Sequence, residues 1–135
     1  MGKGPMIHEQ LSREIIGAAM TVMNALRPGL DEKIYENALL VELEERGLTI
    51  EQQRHFPVHY KGRLVGRLIP DLIVAGKVIV DPKVVTAFHD EHVAQMLGYL
   101  SITGLDLAIL LNFRSSKLEW KRVLHPRLIS DPPSE

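Results

Sequence analysis

The sequence predicts an α/β domain with a mixed central β-sheet and helices packed on it. Three observations lead there. Apolar spacing is helical over residues 7–46, strand-like over 55–85, helical again over 89–103 and strand-like to the end. The first strand-like stretch carries turn signals at Lys61-Gly62 and Gly76-Lys77, which predict a three-strand antiparallel meander. A strand–helix–strand crossover then follows, which makes the sheet mixed.

The elements follow in order. Residues 7–26 place Leu11, Ile15, Ala19, Val22 and Leu26 at helical spacing. Arg27-Pro28-Gly29 ends that helix, because proline resists a helix interior and glycine permits a tight turn. A second helix runs over 31–46, with Ile34, Ala38, Val41 and the Leu39/Leu43 pair as its expected inward face and Gly47 as its stop. Asp31 and Glu32 suit the positive end of its dipole. The meander strands are expected at 55–60, 64–75 and 78–85, rich in β-branched residues. Val93, Met96, Leu97 and Leu100 mark the third helix. Residues 105–113 are almost continuously apolar, as in a strand buried on both faces, and 117–124 alternate as a last strand. One domain over residues 1–129 is expected, with a loose Pro- and Ser-rich tail over 130–135.

Composition narrows the chemistry. Hydrophobic residues make up 45% of the 135, enough for a core. With no cysteine, disulfides, thiolate catalysis and cysteine-based zinc sites are excluded, which fits a cytoplasmic protein. No apolar run approaches the ~18 residues of a spanning helix, and no signal peptide is readable, so no membrane partner is expected. A net charge of −1 places any nucleic-acid contact on local basic patches. The candidates are Arg114, Lys117, Lys121, Arg122 and Arg127 towards the end, and Lys61, Arg63 and Arg67 on the meander. The apolar first helix and the 105–113 strand predict a homo-oligomer, most simply a dimer.

Four residues form the candidate site. Asp71 lies on the second meander strand; Asp81 and Lys83 lie two apart on the third and so share a face. The short turn between the strands brings Asp71 beside Asp81, and Glu32 can approach from the helix start. Carboxylates grouped in this way make a hard oxygen site suited to Mg2+ or Mn2+. Such an ion polarises a phosphate oxygen and acidifies a bound water, while a neighbouring lysine orients the water or stabilises developing charge. The plain alternative is a cross-strand salt bridge on an exposed face. Gln95 and Tyr99, four apart on the third helix, form a second polar pair.

Gly29-Leu30-Asp31-Glu32-Lys33-Ile34-Tyr35 reads G-x-x-E-x-x-Y. Further on come Gln53 with Pro57-Val58-x-Tyr60-x-Gly62, Val65-Gly66, Asp71-Leu72, Val78-Ile79-Val80, His92-x-Ala94-Gln95 with Tyr99-Leu100, Thr103-Gly104 and Leu111-Asn112-Phe113. Over residues 8–125 the chain resembles the GxxExxY family, a branch of the PD-(D/E)XK nuclease-like superfamily. The resemblance implies a restriction-endonuclease-like core and metal-dependent hydrolysis of DNA or RNA. It makes Glu32, Asp71 and Asp81 the metal carboxylates, Lys83 the lysine of the catalytic pair, and Gln95 a helper of that pair. Arg67, Tyr99, Arg114 and Lys117 become contacts to nucleic acid. A catalytically impaired module that binds nucleic acid or protein is the other function the fold admits. Asp81-Pro82-Lys83 stands where the family has Glu-x-Lys, Ile69-Pro70 where an arginine is usual, and Arg114 where a glycine is usual. Pro82 removes a backbone donor from an inner strand, which predicts a local break in pairing there.

Overall fold

The computed structural model describes residues 7–129; the expected tail at 130–135 lies outside them. The chain runs α1 (Glu9–Leu26), α2 (Glu32–Glu45), β1 (Ile50–Gln52), β2 (Phe56–Tyr60), β3 (Arg63–Leu68), β4 (Leu72–Val74), β5 (Val78–Lys83), α3 (Asp90–Thr103), β6 (Leu107–Asn112), β7 (Glu119–Leu124) and a 3-10 turn at Pro126–Leu128. A five-stranded sheet has the order β1-β4-β5-β6-β7, and β2 and β3 form a separate two-stranded sheet. Among the described strands only the β5–β6 pair is parallel, because α3 carries the chain across between them.

The sheet separates two apolar layers. Leu72, Val74, Val78, Val80, Ile109 and Leu111 face α1 and α2, and Ile73, Ile79, Ala108 and Leu110 face α3. All six residues of β6 are buried, as its unbroken apolar run predicts. In α1 the buried stripe is Ile15, Ala18, Ala19, Val22 and Met23. Of the two surfaces invoked for self-association, β6 is covered within the chain, and α1 buries its stripe but leaves Met20 and Leu26 exposed. Other exposed apolar residues are Leu30, Ile34 and Val41 by the helix pair and Tyr60, Leu64 and Val65 on the hairpin. No described helix is long and apolar enough to cross a membrane.

The inward face of α2 differs from the expected one. Tyr35, Glu36, Leu39 and Leu43 are buried, while Ile34 and Val41 are exposed. Tyr35 sets this rotation. Its ring stacks on Phe113 at 4.8 Å, and its hydroxyl donates to the Arg27 carbonyl and accepts from the Leu30 N–H. The tyrosine thus ties down the α1–α2 turn, where Gly29 has φ 112°, a conformation costly for any residue with a Cβ.

The meander is also rearranged. The expected strand over 64–75 is two strands, broken at Ile69-Pro70-Asp71. Proline cannot donate to a ladder and forces the residue before it out of the helical region, so the chain leaves one sheet and enters the other there. β3 pairs only with β2, and the neighbours of β4 are β1 and β5. The three-residue β1 was too short to show alternation.

Pro82 causes no register break. Pairing with β6 continues from Val78–Leu107 to Lys83–Asn112. The Phe113 N–H donates to the Lys83 carbonyl (2.9 Å), so Lys83 turns its backbone groups to β6 and Pro82 turns its own to the β4 side. On that side the ladder has ended at Leu72–Val80, and Pro70 stands two steps beyond it. The missing N–H therefore costs no ladder bond. Pro82→Leu is expected to change unfolding free energy by less than about 1 kcal/mol. A urea titration showing a larger gain would mean that a bond is lost at Pro82 after all.

Candidate active site

Gln53, Asp71 and Asp81 stand in one row across β1, β4 and β5, one step beyond the Gln52–Leu72 and Leu72–Val80 pairs. The Gln53 N–H donates to the Asp71 carbonyl (3.0 Å), which holds the row together. Alternation puts Asp71, Asp81 and Lys83 on the α3 face with Ile73 and Ile79. Asp81 is buried, and its carboxylate lies 3.4 Å from Lys83 Nζ. Burial pushes the Asp81 carboxyl up to about 7; the Asp71 carboxylate, near enough to share its proton, adds to this, and Lys83 opposes it. Tyr99 faces the same point. Its hydroxyl accepts from Gln95 Nε2 (3.2 Å), and its pKa is raised by burial and then by the charges of Asp81 and Asp71.

From α2 the link to this row is made by Glu36, not by Glu32. Glu32 is exposed in the first turn. Glu36 is 3% exposed, and its Oε2 accepts from Lys33 (3.1 Å), Gln52 (2.9 Å) and Gln53 (3.0 Å). Gln53 Nε2 also donates to Asp71 Oδ1 (3.2 Å), so one amide bridges the two carboxylates. Glu32 and Glu36 stand four apart on one face of α2, so position along the helix separates them: Glu32 lies in the first turn, and Glu36 lies one turn further in, beside the buried Tyr35 and Leu39. A carboxylate adjoining that buried stripe was the available signal for Glu36.

Gln53 and Asn112 also escaped the sequence reading as site residues. Gln53 has φ 57°, unusual outside glycine. Asn112 is buried; its Nδ2 donates to the Val85 carbonyl (2.8 Å) and to Glu119 Oε1 (3.1 Å), and its Oδ1 accepts from the Val85 N–H (3.1 Å). These bonds fix the point where the chain leaves β5 just past Lys83.

The remaining candidates are dispersed. Arg114 and Lys117 are exposed in the β6–β7 loop, at the Lys83 end of the sheet, but Lys117 lines a hollow with Met20, Met23 and Asn24 on the α1 side. Arg127 is bound to Asp106, and Arg122 reaches the Ile7 carbonyl beside α1, so neither flanks the carboxylates. Arg67 is exposed on β3, four residues before Asp71.

No group of three histidine, aspartate or glutamate side chains among the described residues is gathered closely enough to hold a metal by itself. The Asp71–Asp81 pair nonetheless fits a hard divalent cation, which keeps several waters and needs few protein ligands. A buried carboxyl pushed up by its surroundings and by a neighbouring carboxylate is an arrangement that such a charge relieves.

A mixed sheet with an Asp-x-Lys strand beside a second aspartate defines the class, and the comparisons agree. The family model of the PD-(D/E)XK nuclease superfamily matches residues 9–123. The chain belongs to that superfamily. Among solved structures it is similar to the crystal structure of SSO0001, with 14% identity and a TM-score of 0.57 over 88% of this chain and 60% of that one. The chain thus spans less than two thirds of that protein. It is also similar to an alkaline exonuclease (LHK-Exo) from Laribacter hongkongensis, with 11% identity and a TM-score of 0.49 over 81% and 77% of the two chains. No curated protein matches it.

The amide bridge gives a test of its own. Gln53→Ala leaves Glu36 and Asp71 facing each other without a donor between them. It is expected to cost about 1–3 kcal/mol of stability and to weaken Mn2+ binding about tenfold. Calorimetric titration with unchanged Mn2+ affinity would show that the bridge does not contribute to any cation binding at the Asp71–Asp81 pair.

Proposed function

We propose that this protein is a divalent-metal-dependent phosphodiesterase acting on nucleic acid, built on one domain over residues 1–129. The observation that carries the reading is the Asp71–Asp81 pair, half-buried at Asp71 and buried at Asp81, with Lys83 at 3.4 Å from Asp81. In it Asp71 and Asp81 hold Mg2+ or Mn2+, and Glu36 is held behind them by Gln53. The ion supplies Lewis acidity at the scissile phosphate when bound.

The chain's own residues do the rest. Lys83 is fixed between Asp81 and the Asn112-tethered loop, so its ammonium can orient a water and offset charge on the phosphoryl oxygens. Gln95 and Tyr99 form a hydrogen-bonded pair above the carboxylates, where an amide or phenol can hold the water or a phosphate oxygen. Arg67 and Arg114 are exposed cations that can hold the flanking backbone. A binding module without catalysis is favoured by two contrary features: Lys83 already pairs with Asp81, and three donors already occupy Glu36. Cleavage of DNA and RNA panels with Mg2+ or Mn2+, against an EDTA control, separates the two readings.

A further inference from the structure

The β2–β3 hairpin stands outside the main sheet and is the least buried part of the fold. Between Gln53 and Asp71 the chain carries Arg54, Lys61, Arg63 and Arg67 and no acidic residue, although its net charge is −1. Arg54 is engaged by Glu51 (3.1 Å). Lys61, Arg63 and Arg67 make no ion pair among the described residues, and Lys61 lies over the exposed Tyr60 ring.

The ribbon has a distinct inner and outer face. Phe56 packs on the α3-side core and pairs with Leu68, so Leu68 and Gly66 share the inner side of β3 and Arg67, opposite Pro57, projects from the outer side. A register shift between Val58 and His59 then exchanges the faces of β3: Leu64 stands opposite His59 on the outer side and Arg63 opposite Tyr60 on the other, so exposed cations flank the ribbon on both faces. From Arg67 the chain runs straight into Asp71.

We propose that this ribbon is a docking element for duplex DNA that lies in the major groove and presents the backbone to the carboxylate row. This rests on the phosphodiesterase reading for its consequence but not for its binding chemistry. Charge is the first argument: a ribbon with unpaired cations on both faces and no acid among them matches the phosphate backbones that wall a groove. Shape is the second. Two strands lie about 4.8 Å apart, and the major groove of B-form DNA, about 12 Å wide, admits a two-stranded ribbon. The corresponding groove of duplex RNA is deep and narrow and excludes it, so the ribbon selects DNA over RNA.

The test uses the full chain with Asp71→Asn, which prevents cleavage, and fluorescence anisotropy on duplex DNA, the same single strand and duplex RNA. Duplex DNA is expected to bind most tightly. If three phosphates are neutralised, affinity falls about 40-fold between 50 and 200 mM salt from this element alone. Lys61→Ala, Arg63→Ala and Arg67→Ala should each lower the salt slope by about 1, and the triple variant should weaken duplex binding at least about tenfold. Equal affinity for duplex RNA, or a slope unchanged in the triple variant, overturns the proposal. Calorimetric Mn2+ binding by the unsubstituted chain distinguishes the two failures: ribbon-dependent DNA binding without metal binding leaves this inference standing and removes the phosphodiesterase reading.

Discussion

At pH 8 and without divalent cations, Asp81→Asn is expected to be more stable than the unsubstituted protein by about 1–3 kcal/mol. The sign follows from the raised carboxyl. Asp81 titrates near 7 in the folded chain against 3.8 for the free side chain. Between those values the folded state holds a proton that the unfolded chain releases, so stability is greatest below about 4 and falls as pH rises to about 7. Burial against the surrounding apolar face is the main cause and Asp71, which crowds Asp81, the next; Lys83 limits the loss. Asparagine removes the charge and keeps the shape, although it leaves Lys83 with a poorer partner. Urea unfolding at pH 5 and pH 8 in EDTA checks this. The unsubstituted protein should lose stability between the two, and Asp81→Asn should not. Mn2+ should then stabilise the unsubstituted protein at pH 8 and leave the variant unmoved. Equal stability at both pH values would mean that Asp81 stays ionised and that the pair carries no frustration for a cation to relieve.

Cleavage gives the larger effect. Asp71→Asn and Lys83→Ala are each expected to lower the metal-dependent rate by about 100- to 10,000-fold. In the proposed reaction Asp71 would carry charge needed by the ion, and Lys83, 3.4 Å from Asp81, would be the cation at the phosphate. Affinity for the nucleic acid should change only a few-fold in both, because the ribbon is untouched. Rates measured at saturating substrate with Mg2+ and with Mn2+ separate chemistry from binding. Activity that survives both substitutions would belong to a contaminant. Binding without cleavage in the unsubstituted protein, whichever metal is used, would mark it as a binding module.

Much of this was legible in the chain itself. The spacing of apolar residues located α1, α2, α3 and the doubly buried β6, because period and burial are local consequences of sequence. The pairing of Asp71 with Asp81 and Lys83 was also readable, since strand alternation and a tight turn at Gly76-Lys77 leave few alternatives. The motif sequence Gly29–Glu32–Tyr35 marked the right helix. It did not mark Glu36, the α2 carboxylate that Gln53 bridges to Asp71. Which turn of α2 is covered depends on Tyr35 meeting Phe113, 78 positions away in the chain, and no local pattern reports a contact of that separation. The same holds for Gln53, which matters only because β1 pairs with β4 after an intervening hairpin has folded out of the sheet. Pro82 is tolerated because its neighbour strand ends at another proline. Periodicity is written residue by residue; which side of an element meets the rest of the chain is settled by packing between distant segments, and that is where Glu36, Gln53 and the freestanding ribbon were decided.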